Sequence, residues 1–454
     1  MIKVELLPDT VTIPEKISFV AKGCYQAEKP KIGELINIKN ALFETGHHTT
    51  LQHNAFSFFI EGIAISDVTF GLHLASPFYN SSQRSGRFCG KMFDDPDFDF
   101  LSAYIRRYWP EISENQHKRM MDFIHNGIRI YQDNIAKATE VAKQFIKEER
   151  LFASEKYIEQ NAPKFAQEQL RVFISTIFPT ALTFTINLSA LAAFYRVAWS
   201  PPLIDITQMM ANVLLRKYPE LGYMFVRRDG SNPFLQLPRA EPLRWLDGIL
   251  AKPKSHLDSA GNSSKFINPF PEDVHPLDLL HFDPIYMDNN VEEIKTEVEI
   301  SIATMGQDQR HRTVERSKPR FTGHFYLPPI PKHLGLESEA LGIIESWLSL
   351  WSNEIPQTLS TAIAPYGATV GYRKSASYND AIHETTKRLC WCAQEEIFHL
   401  NLSLRKQVAS QEGKDSPLLQ IFSPHCVRTG KCGEGNRYCG RDIKNSSCFT
   451  ERKI

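Results

Sequence analysis

Residues 307–313 read Gln307-Asp308-Gln309-Arg310-His311-Arg312-Thr313. They follow a segment, 294–305, in which apolar and polar residues alternate as along a half-buried strand. Two guanidiniums around an imidazole place many hydrogen-bond donors on one small patch. An arginine fork grips phosphate through two parallel bonds, and the imidazole changes protonation near neutral pH. Alone, an Arg-His-Arg triplet is equally a solvated basic turn, so its meaning depends on what stands with it.

Downstream, 380–410 has the pattern of one long amphipathic helix, and 341–352 that of a shorter one. The longer one contains Arg388-Leu389-Cys390-Trp391-Cys392-Ala393-Gln394-Glu395-Glu396-Ile397. On a continuous helix, Glu396 and Arg388 would lie just over two turns apart on roughly one side. Upstream, residues 251–276 are rich in Pro, Gly, Ser and Asn and read as an exposed linker. The expected division is therefore 1–250, a linker at 251–270, and 271–454. In the first part, 16–20 reads as a short strand, 32–43 as a helix and 55–68 as a buried strand. The stretch 99–250 reads as mainly helical, most clearly at 131–152.

With 454 residues, 42% hydrophobic and 23% charged, the chain has the composition of a globular protein with more than one domain. Lys plus Arg and Asp plus Glu both number 52, so no global basic field gathers nucleic acid. An anionic ligand must be held by local clusters of Arg and His. No apolar run reaches membrane-spanning length, and residues 1–10 mix charged with apolar side chains unlike a secretory signal, so the expectation is cytoplasmic. Four of the eight Cys crowd the end, at Cys426, Cys432, Cys439 and Cys448. With His425, the first three offer four zinc ligands, although the spacings are wider than the tight hooks of strong zinc motifs. A structural or loop role is the preferred reading.

The first part holds further chemistry-bearing strings. Gly46-His47-His48-Thr49-Thr50-Leu51-Gln52-His53 leads into the strand-like Ala55-Phe56-Ser57-Phe58. Ser85-Gly86-Arg87-Phe88 combines a hydroxyl, a residue that lets backbone amides approach, and an arginine fork. Glu168 and Arg171 stand three apart, sharing a face on a helix, and Asn187 follows sixteen later beyond Pro179.

In this order the strings resemble the flavin-dependent thymidylate synthases (the ThyX family). The resemblance implies an α+β fold of two tandem ThyX-like domains, each a small sheet flanked by long helices. It implies an enzyme that reductively methylates dUMP to dTMP, with FAD as cofactor and methylenetetrahydrofolate and NADPH as cosubstrates. It places Gln83, Ser85, Gly86, Arg87, Glu168, Arg171, Gln307 and Arg388 on the nucleotide, with Arg388 and Ser85 catalytic. It places His47, Thr49, His53, Asn187, Arg310, His311 and Arg312 against the flavin.

The two parts depart from the family pattern in complementary ways. The first has Leu72-His73-Leu74 where the triplet belongs and Ala198 where the uracil-contacting Arg belongs. The second has Thr361 in place of the phosphate Arg and Ser377 in place of Asn. The family builds its sites between subunits of a homotetramer. The expectation is thus a composite site drawing on both halves, in a homodimer that imitates the tetramer. Two alternatives stand beside it: an inactive tandem flavin- or nucleotide-binding protein, and a nucleic-acid-binding module using the triplet and the Cys tail.

Overall fold

The structure, a computed structural model, describes residues 11–24, 26, 28–74, 79–84, 86, 90–227, 248–270, 274–275, 277–352 and 355–454. It is mixed helix and sheet, in keeping with the α+β expectation. Two compact units are present, and neither is a continuous stretch of chain. The first comprises Met1–Arg84 and Pro179–Leu235, the second Ser85–Phe178 and Gln236–Ile454.

The first unit is built on an antiparallel sheet of β1 (Ala55–Ala64), β2 (Tyr79–Gln83) and β3 (Pro179–Asn187), in the order β1-β3-β2. β1 alternates between more and less exposed residues until its buried end, as period-two patterning requires. Gly62, at φ +79°, lies in the irregularity between Glu61 and Ile63, a backbone conformation that favours glycine. Asn187 ends β3, and its side-chain oxygen accepts from Ala190 N at 2.8 Å, capping the Leu188–Val197 helix. That helix, the Pro201–Leu215 helix and Ile17 and Val68 contribute to one apolar core.

The 16–20 stretch is not a strand but the middle of a helix, Ile13–Gly23. Thr12 and Glu15 form a reciprocal capping box at its start, and that local device outweighs the β-branched residues behind it. Residues 32–43 are helical only at Lys39–Phe43. The strand read at 55–68 stops at Ala64 and turns into helix.

The second unit holds β4 (Ile249–Leu250), β5 (Lys254–Ser259), β6 (Glu293–Ser301), β7 (Glu315–Arg316), β8 (Arg320–Tyr326) and β9 (Ala368–Ser377). Their order is β4-β8-β9-β6-β5, with β7 also on β9. Part of the expected linker is therefore sheet: β5 pairs antiparallel with β6 from Lys254↔Glu299 onward. Edge pairing satisfies its backbone despite the turn-rich composition. The Glu337–Ser352 helix packs on β8, and the Glu114–Glu149 helix packs on it and on the Glu155–Leu170 helix. The Glu114–Glu149 helix opens on a capping box between Ser113 and Gln116 and buries Met120, Ile124, Ile128, Tyr131, Ala138, Ala142 and Phe145 at helical spacing. A Cβ at Gly127 would fall 2.3 Å from Phe173 O, so glycine is what lets this helix lie against the Arg171–Phe173 turn.

Both units repeat one order. A first strand pairs with a third, the third pairs with the second, and a helix follows the third: β1-β3-β2 and β6-β9-β8. The registers match as well, since Ala55 opposes Asn187 and Glu293 opposes Ser377. Ser377 caps its helix as Asn187 does, accepting from Asp380 N at 3.2 Å. Among the described residues, no helix is long and apolar enough to cross a membrane.

Candidate active site

A short helix, Ile302–Asp308, organises the polar centre of the second unit. β6 ends at Ser301, and the Arg-His-Arg triplet lies beyond the helix rather than at the strand end. At the helix start, Ser301 N–H donates to Glu396 Oε1 at 2.6 Å. The hydroxyls of Ser301 and Thr304 each donate to Glu396 Oε2 at 2.5 Å. Glu396 is wholly buried. Burial, with Glu395 next to it, pushes its carboxyl up to about 7 against the pull of those hydrogen bonds. Glu395 accepts from the Tyr326 hydroxyl at 2.6 Å.

Arg171 reaches the same helix start. It closes the Glu155–Leu170 helix, is buried, and donates from Nη2 to Ala303 O at 3.3 Å. Its guanidinium lies over the Tyr366 ring, 5.2 Å from the centroid. Gly86 lies against it: a Cβ there would be 3.3 Å from Arg171 Nη1 and 3.6 Å from the Tyr366 hydroxyl. Gln167 Nε2 donates to Gly86 O at 2.8 Å and fixes that residue. Burial lowers the pKa of Arg171, while Tyr366 and Glu396 support its charge.

The other end of the helix is fixed by a buried ionic network. Asp308 accepts from Arg316 Nε at 2.5 Å, Lys374 Nζ at 2.6 Å and the Tyr372 hydroxyl at 2.8 Å. Lys374 also donates to Glu384 at 2.7 Å. Burial raises the pKa of Asp308, but Arg316 and Lys374 more than offset this and hold its carboxyl well below the usual range. Arg316 also donates to the carbonyls of Asp308 at 2.5 Å and of His311 and Val314 at 2.8 Å each. The turn bearing the triplet is thus wrapped around one guanidinium.

Within the triplet, His311 is buried. Burial, then Arg388 and His383, hold its imidazole well below its ordinary value, so the ring is neutral near pH 7. Its Nδ1 stands 3.4 Å from His383 Nδ1. Arg310 is exposed, yet desolvation of its head lowers its pKa, and the charges of Arg171 and Arg312 lower it further. Arg388 is buried and donates to Gln307 O at 2.5 Å. Its pKa is lowered by burial and by Arg310 and Arg316, against the attraction of Glu384 and Asp308. Gln307 in turn donates its side-chain amide to Gln394. Arg171, Arg310, Arg312 and Arg388 therefore form one electrostatically linked group with raised charge density and reduced hydration. Such a group favours an anion, and a fixed guanidinium polarises a carbonyl brought against it.

The helix expected over 380–410 is broken. Tyr378–Arg388 ends at Arg388, a turn follows, and Glu395–Glu412 begins anew. Trp391 draws the chain aside, with its Nε1–H donating to Cys448 O at 3.0 Å from a buried position. Arg388 and Glu396 consequently serve opposite ends of the Ile302–Asp308 helix instead of one helix face.

The second unit thus gathers Gly86, Arg171, Gln307, Arg310, His311, Arg312 and Arg388, with Glu168 buried three residues before Arg171. Ser85 and Arg87 lie outside the described residues. The first unit carries Gln83 on β2, His47, Thr49 and His53 exposed before β1, and Asn187 at the end of β3. Sequence reasoning missed Tyr366, His383 and the Asp308–Arg316–Lys374–Glu384 network. Asp308 stood inside the quoted string, but nothing in one sequence tells a buried anchor from a solvated neighbour.

The tail does not assemble the suggested zinc ligands. Cys426 faces Arg441 Nη2 at 3.4 Å, and Cys439 is buried with its carbonyl facing Arg150. Among the described residues, no group of three or more His, Cys, Asp or Glu is placed to hold a metal.

No curated protein matches the chain. The family model described as thymidylate synthase complementing protein matches residues 5–218. Over that segment, somewhat less than half of its length, the chain is similar to the flavin-dependent thymidylate synthase family.

Proposed function

We propose that the protein converts dUMP to dTMP, with FAD as cofactor, methylenetetrahydrofolate as carbon donor and NADPH as reductant. The site is the arginine group of the second unit, which draws Arg171 and Gly86 from the first half of the sequence and the triplet and Arg388 from the second. The observation that carries this reading is the convergence of Arg171 with the triplet inside one compact unit. Complementary loss of motifs between the halves becomes intelligible if a single site draws on both.

The donor set fits the groups the family uses. Among the described residues, the buried Nε–H groups of Arg171 and Arg388 have no hydrogen-bond partner. An unmatched buried donor is costly, by about 1–3 kcal/mol, and an anionic or carbonyl oxygen removes that cost. Phosphate on dUMP and pyrophosphate on FAD both supply such oxygens.

When bound and reduced, the flavin supplies the hydride that completes the new methyl group. Arg171, with the loop at Gly86, holds the nucleotide phosphate. Arg388, steadied through Gln307 O, presses its guanidinium on a uracil carbonyl and stabilises negative charge as the ring is activated. The Gln307–Gln394 amide pair orients the base. Neutral His311 offers a ring nitrogen without adding charge, while Arg310 and Arg312 grip the flavin. His47, Thr49, His53 and Asn187, on the first unit, are carried over from the resemblance alone, as are the homodimer and the roles of Ser85, Arg87, Gln83 and Glu168.

The repeated strand order and matched registers support a tandem origin of the two units. In the first unit, Leu72 occupies the place of the first arginine of the triplet and is part of the apolar core. One working site per chain follows.

The test is tritium release from 5-tritiated dUMP by the purified protein, dependent on both methylenetetrahydrofolate and NADPH. Arg388→Ala is expected to slow release at least a hundredfold, for a guanidinium on a developing oxyanion is worth roughly 3 kcal/mol. Flavin binding without turnover in the unaltered protein would instead support the inactive reading.

A further inference from the structure

The Cys-rich tail of the second unit takes no part in the site above, yet it contains a built pair of thiols. Cys426 opens the short His425–Thr429 helix as its second residue and is partly exposed. Cys448 is buried at 3% exposure. Arg441 joins their surroundings, with Nη1 donating to Ser446 O two residues before Cys448, and each thiol shifts the ionisation of the other. Arg441 Nη2 stands 3.4 Å from Cys426 Sγ, and the Cys426 charge is also felt by Arg428. Cys448 has a second acceptor in reach, Leu389 O at 3.4 Å, immediately after Arg388.

We propose that Cys426 and Cys448 form a redox-active dithiol, in which Cys426 reacts first with a low-molecular-weight disulfide and Cys448 resolves the product into an internal bridge. Three observations divide the roles. Cys426 is the solvent-reachable member. It faces a guanidinium, which favours the thiolate, the form that attacks disulfides. Cys448 and Arg441 together bring its thiol down to about 6, although burial opposes them. Cys448 is shielded from external reagents but shares the surroundings of the sulfur it must attack.

The chemistry balances. The Cys426 thiolate attacks one sulfur of R–S–S–R, forming a mixed disulfide and expelling R–S⁻. That thiolate takes the proton of Cys448, whose sulfur then attacks the Cys426 sulfur and expels the second R–S⁻, which is protonated from solvent. The two protein sulfurs lose two electrons in all, and the external disulfide becomes two thiols. Closing the bridge also removes the S–H that Cys448 presents to Leu389 O. The neighbouring pair, Cys390 and Cys392, is the weaker partner set: residues two apart close a small, strained ring, and Cys392 Sγ already donates to Arg437 O at 3.1 Å.

The test exposes the full chain to oxidised glutathione, alkylates the remaining thiols and maps the peptides by mass without reduction. The expected product is a peptide linked through Cys426 and Cys448, with two fewer alkylated thiols than the reduced protein. Cys448→Ser is expected to stop at a Cys426–glutathione adduct, and Cys426→Ser to cut oxidation of Cys448 at least tenfold. A Cys390–Cys392 link formed instead, a persistent adduct at Cys426 in the unaltered protein, or full alkylation of both thiols after exposure would each overturn the proposal. Should Cys448→Ser fail to fold, the peptide map of the unaltered chain decides alone.

Discussion

The guanidinium of Arg171 donates to the carbonyl of Ala303 at 3.3 Å, joining positions 132 apart in sequence. A side chain from the helical first half is thus fixed to the helix that leads to the triplet. Arg171→Ala removes the fork and is expected to weaken dUMP binding tenfold to a hundredfold, the worth of about 1.5–3 kcal/mol for a charged hydrogen bond. Titration calorimetry measures it. Unchanged affinity in a folded variant would remove Arg171 from the phosphate.

Glu396 should make stability depend on pH in an unusual direction. Its carboxyl is raised from 4.5 to about 7 in the folded chain, first by burial and then by Glu395. A raised carboxyl favours folding fully below pH 4.5, and that contribution is lost as pH rises through 7. Glu396→Gln should abolish this slope. The difference in unfolding free energy between variant and parent is expected to change by on the order of 3 kcal/mol from pH 4.5 to 8. Urea unfolding at a series of pH values gives the answer, and parallel curves would show that Glu396 titrates normally.

Asp308 holds two buried cations, Arg316 and Lys374. Asp308→Asn leaves both without their shared anion, so a loss of about 3–5 kcal/mol is expected. Because Arg316 also pins the His311 carbonyl, flavin binding by the triplet should weaken along with stability. Denaturant midpoints and calorimetry on the same preparation test the pair of effects; a variant as stable as the parent contradicts the network.

His311 is held neutral by burial, Arg388 and His383, and burial lowers His383 too. A depressed histidine contributes stability above its unfolded value of 6.5 and loses it as pH falls through the folded one. Nuclear magnetic resonance of ring-labelled protein should therefore show no titration of His311 between pH 6 and 8. A midpoint inside that window would contradict its neutral state.

Short strings carrying dense chemistry were legible in the sequence, and continuity was not. Gly86, Arg171, Gln307, the triplet and Arg388 were named through the family resemblance of the strings they stand in, and all of them lie in the second unit. The helix at Ile13–Gly23 was missed although Thr12 and Glu15 spelled out its capping box, because five residues from its middle are too few to show a period. The break after Arg388 was invisible because it depends on Trp391 bonding to Cys448, a partner 57 positions away. Strand β5 hid in a turn-rich stretch, since an edge strand needs only one neighbour and tolerates polar residues on both faces. Tyr366 became recognisable only when folding placed its ring beneath a guanidinium.

The interleaving of the two units bears on how the protein is made. Residues 85–178, with the long helices and Arg171, leave the ribosome about two hundred residues before β9, the central strand of their own sheet. At ordinary rates of synthesis, roughly 5–20 residues per second, that is a wait of about ten to forty seconds. For most of that interval the Glu114–Glu149 helix has the Glu155–Leu170 helix against it but lacks the Glu337–Ser352 helix, which also packs on it, so part of its apolar face waits uncovered. Separate expression of residues 1–250 would make the wait permanent.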